Sequence, residues 1–116
     1  DPFVLLNLPL SKDYFLKLFE ERQLQARIVA EATDAATLRS FVAAGIGYSL
    51  MTARPKNNYA ETGKPLAYIP LRGDQKPMVI GLASLTEVKP SRVVQAFKAH
   101  CVASIVTGKI PGMQTF

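Results

Sequence analysis

Few residues of this chain have the type and spacing to do chemistry. His100, the one histidine, stands directly before Cys101, the one cysteine. Adjacent positions on a helix do not face each other, and a metal site needs three or four ligands of such types. Nucleophilic catalysis needs a base poised beside a hydroxyl or thiol, and one histidine offers little. Cys101 reads as a small buried hydrophobe. Gly45-Ile46-Gly47 follows a helical pattern, whereas a dinucleotide-binding glycine loop follows a strand and opens a helix. Glu20, Glu21 and Glu31 read as isolated carboxylates on solvated faces. No catalytic residue, metal or cofactor is expected. What remains is hydrogen-bonding chemistry at helix starts, where Ser11, Thr33 and Asp34 place side-chain oxygens beside unpaired N–H groups.

The elements that position these residues can be read from spacing. Thr33 and Asp34 are good caps for a helix in which Ala35, Leu38, Phe41 and Val42 fall at helical intervals. Gly45 suits the left-handed stop of that helix, and residues 48–51 read as a short buried strand. Upstream, residues 3–6 form an apolar run of strand length, broken by Pro9. Ser11 then caps a helix whose apolar stripe is Phe15, Leu16, Leu18, Phe19 and Leu24, with Asp13 of favourable sign in its first turn. Residues 27–31 read as a strand centred on Ile28 and Val29. Downstream, Arg54-Pro55 disfavours helix, and residues 52–65 read as an exposed connection. Residues 66–71 and 78–84 read as strands, the first an edge because of Pro70, with a turn at Gly73-Asp74. Ser91 caps a last helix with Val93, Val94, Phe97, Cys101, Val102 and Ile105 on one side. Gly108 ends it, and residues 109–116 read as a loose tail. The order β-α-β-α-β-loop-β-β-α predicts an α/β sheet with parallel pairs and helices on both faces.

Composition narrows the function classes. The 116 residues suffice for one domain, and 48% of them are hydrophobic, enough for a real core. No stretch approaches the ~20 apolar residues of a membrane span. A single cysteine excludes an intramolecular disulfide and fits a reducing compartment. The net charge of +5 raises nucleic acid as a partner, but the fourteen Lys and Arg residues are dispersed and no aromatic residues interleave with them. DNA binding by this segment itself is not expected. The chain opens at Asp1 on a strand of mid-sheet character, so it reads as an N-terminally truncated piece of a longer protein.

Several local patterns in this order are similar to one family. They are Asp1-Pro2-Phe3-Val4-Leu5-Leu6, the Ser11 helix, Thr33-Asp34, Val42-Ala43-Ala44-Gly45-Ile46-Gly47-Tyr48-Ser49-Leu50, the segment 66–71, and Ser91-Arg92-Val93-Val94-Gln95-Ala96-Phe97. Over residues 2–107 they resemble the second half of the effector-binding domain of LysR-type transcriptional regulators. The resemblance implies a periplasmic-binding-protein-like (type II) α/β fold, with a mixed, mainly parallel sheet flanked by helices. Two subdomains hold a small effector between them. About 7–77 would belong to the second subdomain, about 78–107 would return toward the first, and 108–116 would be tail. A small organic acid or metabolite is the implied effector. DNA is contacted by an N-terminal helix-turn-helix outside this segment. A homodimer or higher homo-oligomer, a cytoplasmic location and no membrane contact complete the implied picture, with the helix 11–24 as candidate dimer contact.

Ligands of open α/β sheets lie beyond the carboxyl ends of strands, where helices begin. Here Asn7, Ser11, Thr33 and Asp34 are the candidate effector contacts, with Thr52 and Arg54 near the crossover. Arg54 could pair with a carboxylate. The plainer alternative makes Ser11, Thr33 and Asp34 helix caps, Asn7 a turn anchor and Arg54 a surface residue. Two other functions share the fold. One is a periplasmic solute-binding protein of a transport system; the other is an enzyme such as a dehydratase or deaminase of the porphyrin pathway, whose catalytic groups this segment lacks.

Overall fold

The computed structural model describes residues 1–108, which divide into two compact units. The first comprises Asp1–Thr52 and Asn57–Pro77, the second Ala53–Lys56 and Met78–Phe116.

The first unit is built on strand β1 (Pro2–Leu6), helix α1 (Ser11–Glu20), strand β2 (Arg27–Ala32) and helix α2 (Ala35–Ala43). β1 and β2 pair in parallel, from Pro2 opposite Arg27 to Leu6 opposite Ala32, with one irregularity between Phe3 and Val4. On its other side β1 takes a single parallel bridge, between Phe3 and Tyr48. The Val4 N–H donates to the Tyr48 carbonyl at 2.8 Å, and the Tyr48 N–H donates to the Pro2 carbonyl at 3.0 Å. Flanked on both sides, β1 is the buried centre, with Phe3, Val4, Leu5 and Leu6 all removed from solvent. Val4, Leu6 and Ala32 pack with Phe15 and Leu18 of α1 and Leu38 of α2. Phe3 meets the rings of Phe19 and Tyr48 at centroid distances of 5.1 and 5.3 Å. Burying each such side chain is worth about 1.5–3 kcal/mol, so β1 and Leu38 anchor the unit.

Local chemistry ends the helices. Beyond α2, Gly45 adopts φ +82°. The Gly45 N–H reaches the Val42 carbonyl and the Ile46 N–H reaches that of Phe41, the paired bonds of a glycine-terminated helix. Gly47 is needed for a different reason. A Cβ there would stand 2.3 Å from the Pro2 carbonyl oxygen, so a side chain would push the 48 segment off β1. α1 stops at Glu20 and does not extend to Leu24. Gln23 at φ 55° turns the chain so that the Leu24 N–H bonds to the Phe19 carbonyl, leaving Leu24 57% exposed and outside the apolar stripe.

Three expected strands do not form as ladders. Among the described residues, 48–51 contribute the isolated bridge at Tyr48 rather than a ladder. Among the described residues, 66–71 keep the backbone–backbone bond from the Leu66 N–H to the Asn58 carbonyl, beside a bridge between Tyr59 and Pro65. Pro65 and Pro70 lack the donors that a ladder requires. Residues 78–84 make no backbone–backbone hydrogen bond among the described residues. A strand exists only with a neighbour, and none is supplied there.

The second unit contains helix α3 (Arg92–Val106). Ser91 caps it, its Oγ accepting from the Val94 N–H at 3.3 Å, and Gly108 at φ 63° follows its end. The expected apolar side is present in sequence, but no residue of α3 is buried. The expected tail 109–116 lies outside the described residues.

Candidate functional site

Parallel pairing puts the carboxyl ends of β1 and β2 at one edge. The Asn7 N–H donates to the Ala32 carbonyl at 2.8 Å, and Asn7 Nδ2 donates to Glu31 Oε2 at 2.7 Å. From these joined ends the chain passes through Leu8-Pro9-Leu10 into α1 and through Thr33-Asp34 into α2. Two helix openings therefore leave neighbouring strand ends, the arrangement that collects polar ligands in open α/β sheets.

The two openings differ chemically. At α2, Asp34 Oδ1 accepts from the Thr37 N–H at 2.8 Å, and Asp34 Oδ2 accepts from Thr37 Oγ1 at 2.7 Å. The Thr37 amide first, and its hydroxyl second, hold this carboxyl below the usual carboxylate range. Asp34 is thus occupied as the cap, and Thr33 is not. At α1 no side chain caps the helix: Leu10 takes the cap position at φ 68°, and Ser11 is the first helical residue. The expected Ser11 cap is corrected, because the left-handed Leu10 turn directs the Ser11 N–H to the Pro9 carbonyl at 2.8 Å. Among the described residues no hydrogen bond engages the Ser11 or the Thr33 hydroxyl.

Asn7 and the Thr33-Asp34 opening are brought together by direct bonding of the strand ends, and Ser11 opens the adjacent helix. Thr52 is exposed at the end of the first unit's long segment. Arg54 belongs to the second unit. Glu31 is the residue that sequence reasoning missed at this edge. It is exposed, as expected, but its carboxylate is tied to Asn7 rather than isolated. A second polar anchor stands away from the edge: the Arg39 guanidinium on α2 donates to the Asn57 and Tyr59 carbonyls and holds the 57–65 connection. Among the described residues, no group of three or more His, Cys, Asp or Glu side chains is placed to hold a metal ion.

The chain that carries this βαβα unit matches a known family over nearly its whole length. The family model of the LysR substrate binding domain covers residues 1–105. The chain belongs to that family. Among solved structures, this LysR-type domain is similar to HinK, a LysR family transcriptional regulator from Pseudomonas aeruginosa. The identity is 26% and the TM-score 0.83, over 90% of this chain and 37% of HinK. It is also similar to the PA01 protein of the same organism, assigned to the LysR family of transcriptional regulators. There the identity is 27% and the TM-score 0.77, over 90% of this chain and 36% of that one. The LysR-type domain thus spans little more than a third of the length of these regulators. No curated protein sequence matches it. The periplasmic-binding-protein-like α/β fold follows from the family and from these structural likenesses.

Proposed function

We propose that this LysR-type domain senses a small-molecule effector on behalf of a bacterial transcriptional regulator, binding without making or breaking bonds. The observation that carries the reading is the pair of helix openings on hydrogen-bonded strand ends in a chain of the LysR substrate-binding family. Asn7, Ser11, Thr33 and Asp34 are the proposed effector contacts, with Thr52 and Arg54 assigned to the crossover by the family resemblance. The unengaged hydroxyls of Ser11 and Thr33 are the direct contacts; Asp34, bound to Thr37, positions the α2 opening. The boundary after Pro77 supports assigning about 7–77 to the second regulatory subdomain and about 78–107 to a return toward the first, although Ala53–Lys56 group with the later residues. Effector binding would shift the population of subdomain arrangements in the regulator. That shift passes to the contacts of a homodimer or higher oligomer, and from there to DNA-binding heads outside this chain.

A cytoplasmic location goes with gene control. The family match favours a regulator over a transport receptor, and no helix among the described residues is long and apolar enough to cross a membrane. The test is a calorimetric titration of a panel of small organic acids and neutral metabolites into the regulator that carries this domain. Ser11→Ala and Thr33→Ala are each expected to weaken the binding ligand about tenfold, the worth of one well-made hydrogen bond. Unchanged affinity in both variants refutes the assigned site.

A further inference from the structure

The chain leaves the first unit after Thr52, re-enters it at Asn57 and leaves it again after Pro77. At two of these three places a side chain from a helix that opens at the proposed effector edge holds the backbone. On α1, the Tyr14 hydroxyl donates to the Lys76 carbonyl at 2.8 Å, one residue before Pro77. On α2, the Arg39 guanidinium donates to the Asn57 carbonyl at 2.8 Å and also to the Tyr59 carbonyl. All of these residues belong to the first unit.

The Tyr14 donor is itself fixed in place. Its ring packs on the core cluster and meets Phe15 edge-on at a centroid distance of 5.5 Å. It stands in the first turn of α1, three residues after Ser11. Just past the end of α1, Arg22 Nη2 lies 3.8 Å from the place a Gly73 Cβ would take. Gln75 Nε2 closes the same turn on the Arg72 carbonyl at 2.8 Å. Residues 69–77 make no backbone–backbone hydrogen bond among the described residues, so side chains set their position. At the other stem Arg39 grips the base of a small loop. There the Leu66 N–H donates to the Asn58 carbonyl and the Ala60 N–H to the Lys64 carbonyl.

We propose that Tyr14 and Arg39 are positioning residues, which tie the two stems of the crossover to the helices that open at the effector site. An occupant that shifts the start of α1 moves the 72–76 stem through Tyr14. One that shifts α2 moves the 57–59 stem through Arg39. A ligand biases an equilibrium only through contacts that differ between the states, and these bonds carry such a difference from the site to the crossover. The proposal rests on the effector-sensing reading and adds to it the two residues that transmit the response.

A tethered occupant tests the link without the natural effector. The regulator that carries this domain, with Ser11→Cys and Cys101→Ala, is labelled by a methanethiosulfonate that adds a short carboxylate chain to the introduced thiol. Hydrogen exchange is read by mass spectrometry with and without the label. Labelling is expected to change exchange of amides 73–76 and 58–60 by at least about threefold, as local opening equilibria shift. Adding Tyr14→Phe, which keeps the packed ring, should abolish the response at 73–76 and spare that at 58–60. Adding Arg39→Met should do the reverse, and Arg39→Lys, which restores a donor, should recover part of it. A merely structural role would not produce this crossed pattern. No response at either stem overturns the coupling, while the titration of the Ser11 and Thr33 variants still decides effector sensing. Undiminished responses in both added variants overturn the roles of Tyr14 and Arg39, and loss of both responses from one variant overturns their separate assignment. The crossed pattern with no binding by any member of the metabolite panel supports the ties and rejects the sensing.

Discussion

Leu38 on α2 and Phe97 on α3 are each a large apolar residue on the apolar side of a capped helix. Leu38 is fully buried, whereas Phe97 is 59% exposed. The first unit surrounds its apolar stripes with β1, β2 and the Tyr48 segment. The second has the stripes but nothing that closes over them among the described residues. Apolar periodicity records that a face needs cover. It does not record what provides the cover, and in this the two units differ among the described residues.

The contrast can be broken most directly by truncating these two side chains. Leu38→Ala in the 116-residue chain is expected to cost about 2–5 kcal/mol, the range for buried leucines. Phe97→Ala should stay within about 0.5 kcal/mol, as for surface positions. Urea unfolding followed by circular dichroism compares them, and equal losses would erase the distinction. Next in size is Gly47→Ala. Its Cβ meets the Pro2 carbonyl at 2.3 Å, so the Tyr48 bridge must yield, at a cost of about 1–3 kcal/mol. Slowed exchange of the Val4 amide in the variant, equal to that of the parent, would show that the approach is not needed.

Ser91→Ala sharpens the contrast from the other side. With no buried face to hold α3, its cap matters more, and the loss of about 1 kcal/mol should appear as faster amide exchange throughout Arg92–Val106. The smallest effect is that of pH at α2. The folded-state pKa of Asp34 lies below its unfolded value. Its stabilisation is therefore complete above the ordinary carboxylate pKa and lost as pH falls through the lower folded value. Acid unfolding of Asp34→Asn is expected to show a shallower pH dependence in that window, because asparagine caps without titrating. An identical slope would show that Thr37 does not sense the charge.

Much of the first unit was legible because its signals are local. Asp34, Thr37 and Gly45 fix α2 from within a dozen residues, and the apolar run at 3–6 announces β1. The strands at 66–71 and 78–84 were read from composition alone, yet a ladder depends on a neighbour that local sequence does not name. Ser11 has the right type for a cap, but the left-handed turn at Leu10 moves the helix start by one position. At the proposed site, Asn7, Thr33 and Asp34 were legible as flanks of strand ends, which is a statement of position and not of role. The bond from Asn7 to Glu31 was not, since it joins residues whose proximity depends on the register of β1 with β2. Thr52 and Arg54 fall in different units, and their role in the site remains the proposal made above.

The position of β1 between two later segments bears on how the protein emerges during synthesis. Its first flank, β2, arrives only after α1 has been made, and its second only when Tyr48 and Ser49 have left the ribosome. The Ser49 hydroxyl then donates to the Val4 carbonyl at 2.6 Å, across almost the whole length of the βαβα unit. Closing such a loop costs chain entropy before any contact repays it. Until then Phe3, Val4, Leu5 and Leu6 have no second neighbour and are open to other strands. β1 is enclosed only after β2 and the Tyr48–Ser49 segment have been made, so a nascent chain stalled before Ser49 should be prone to aggregate and to engage chaperones.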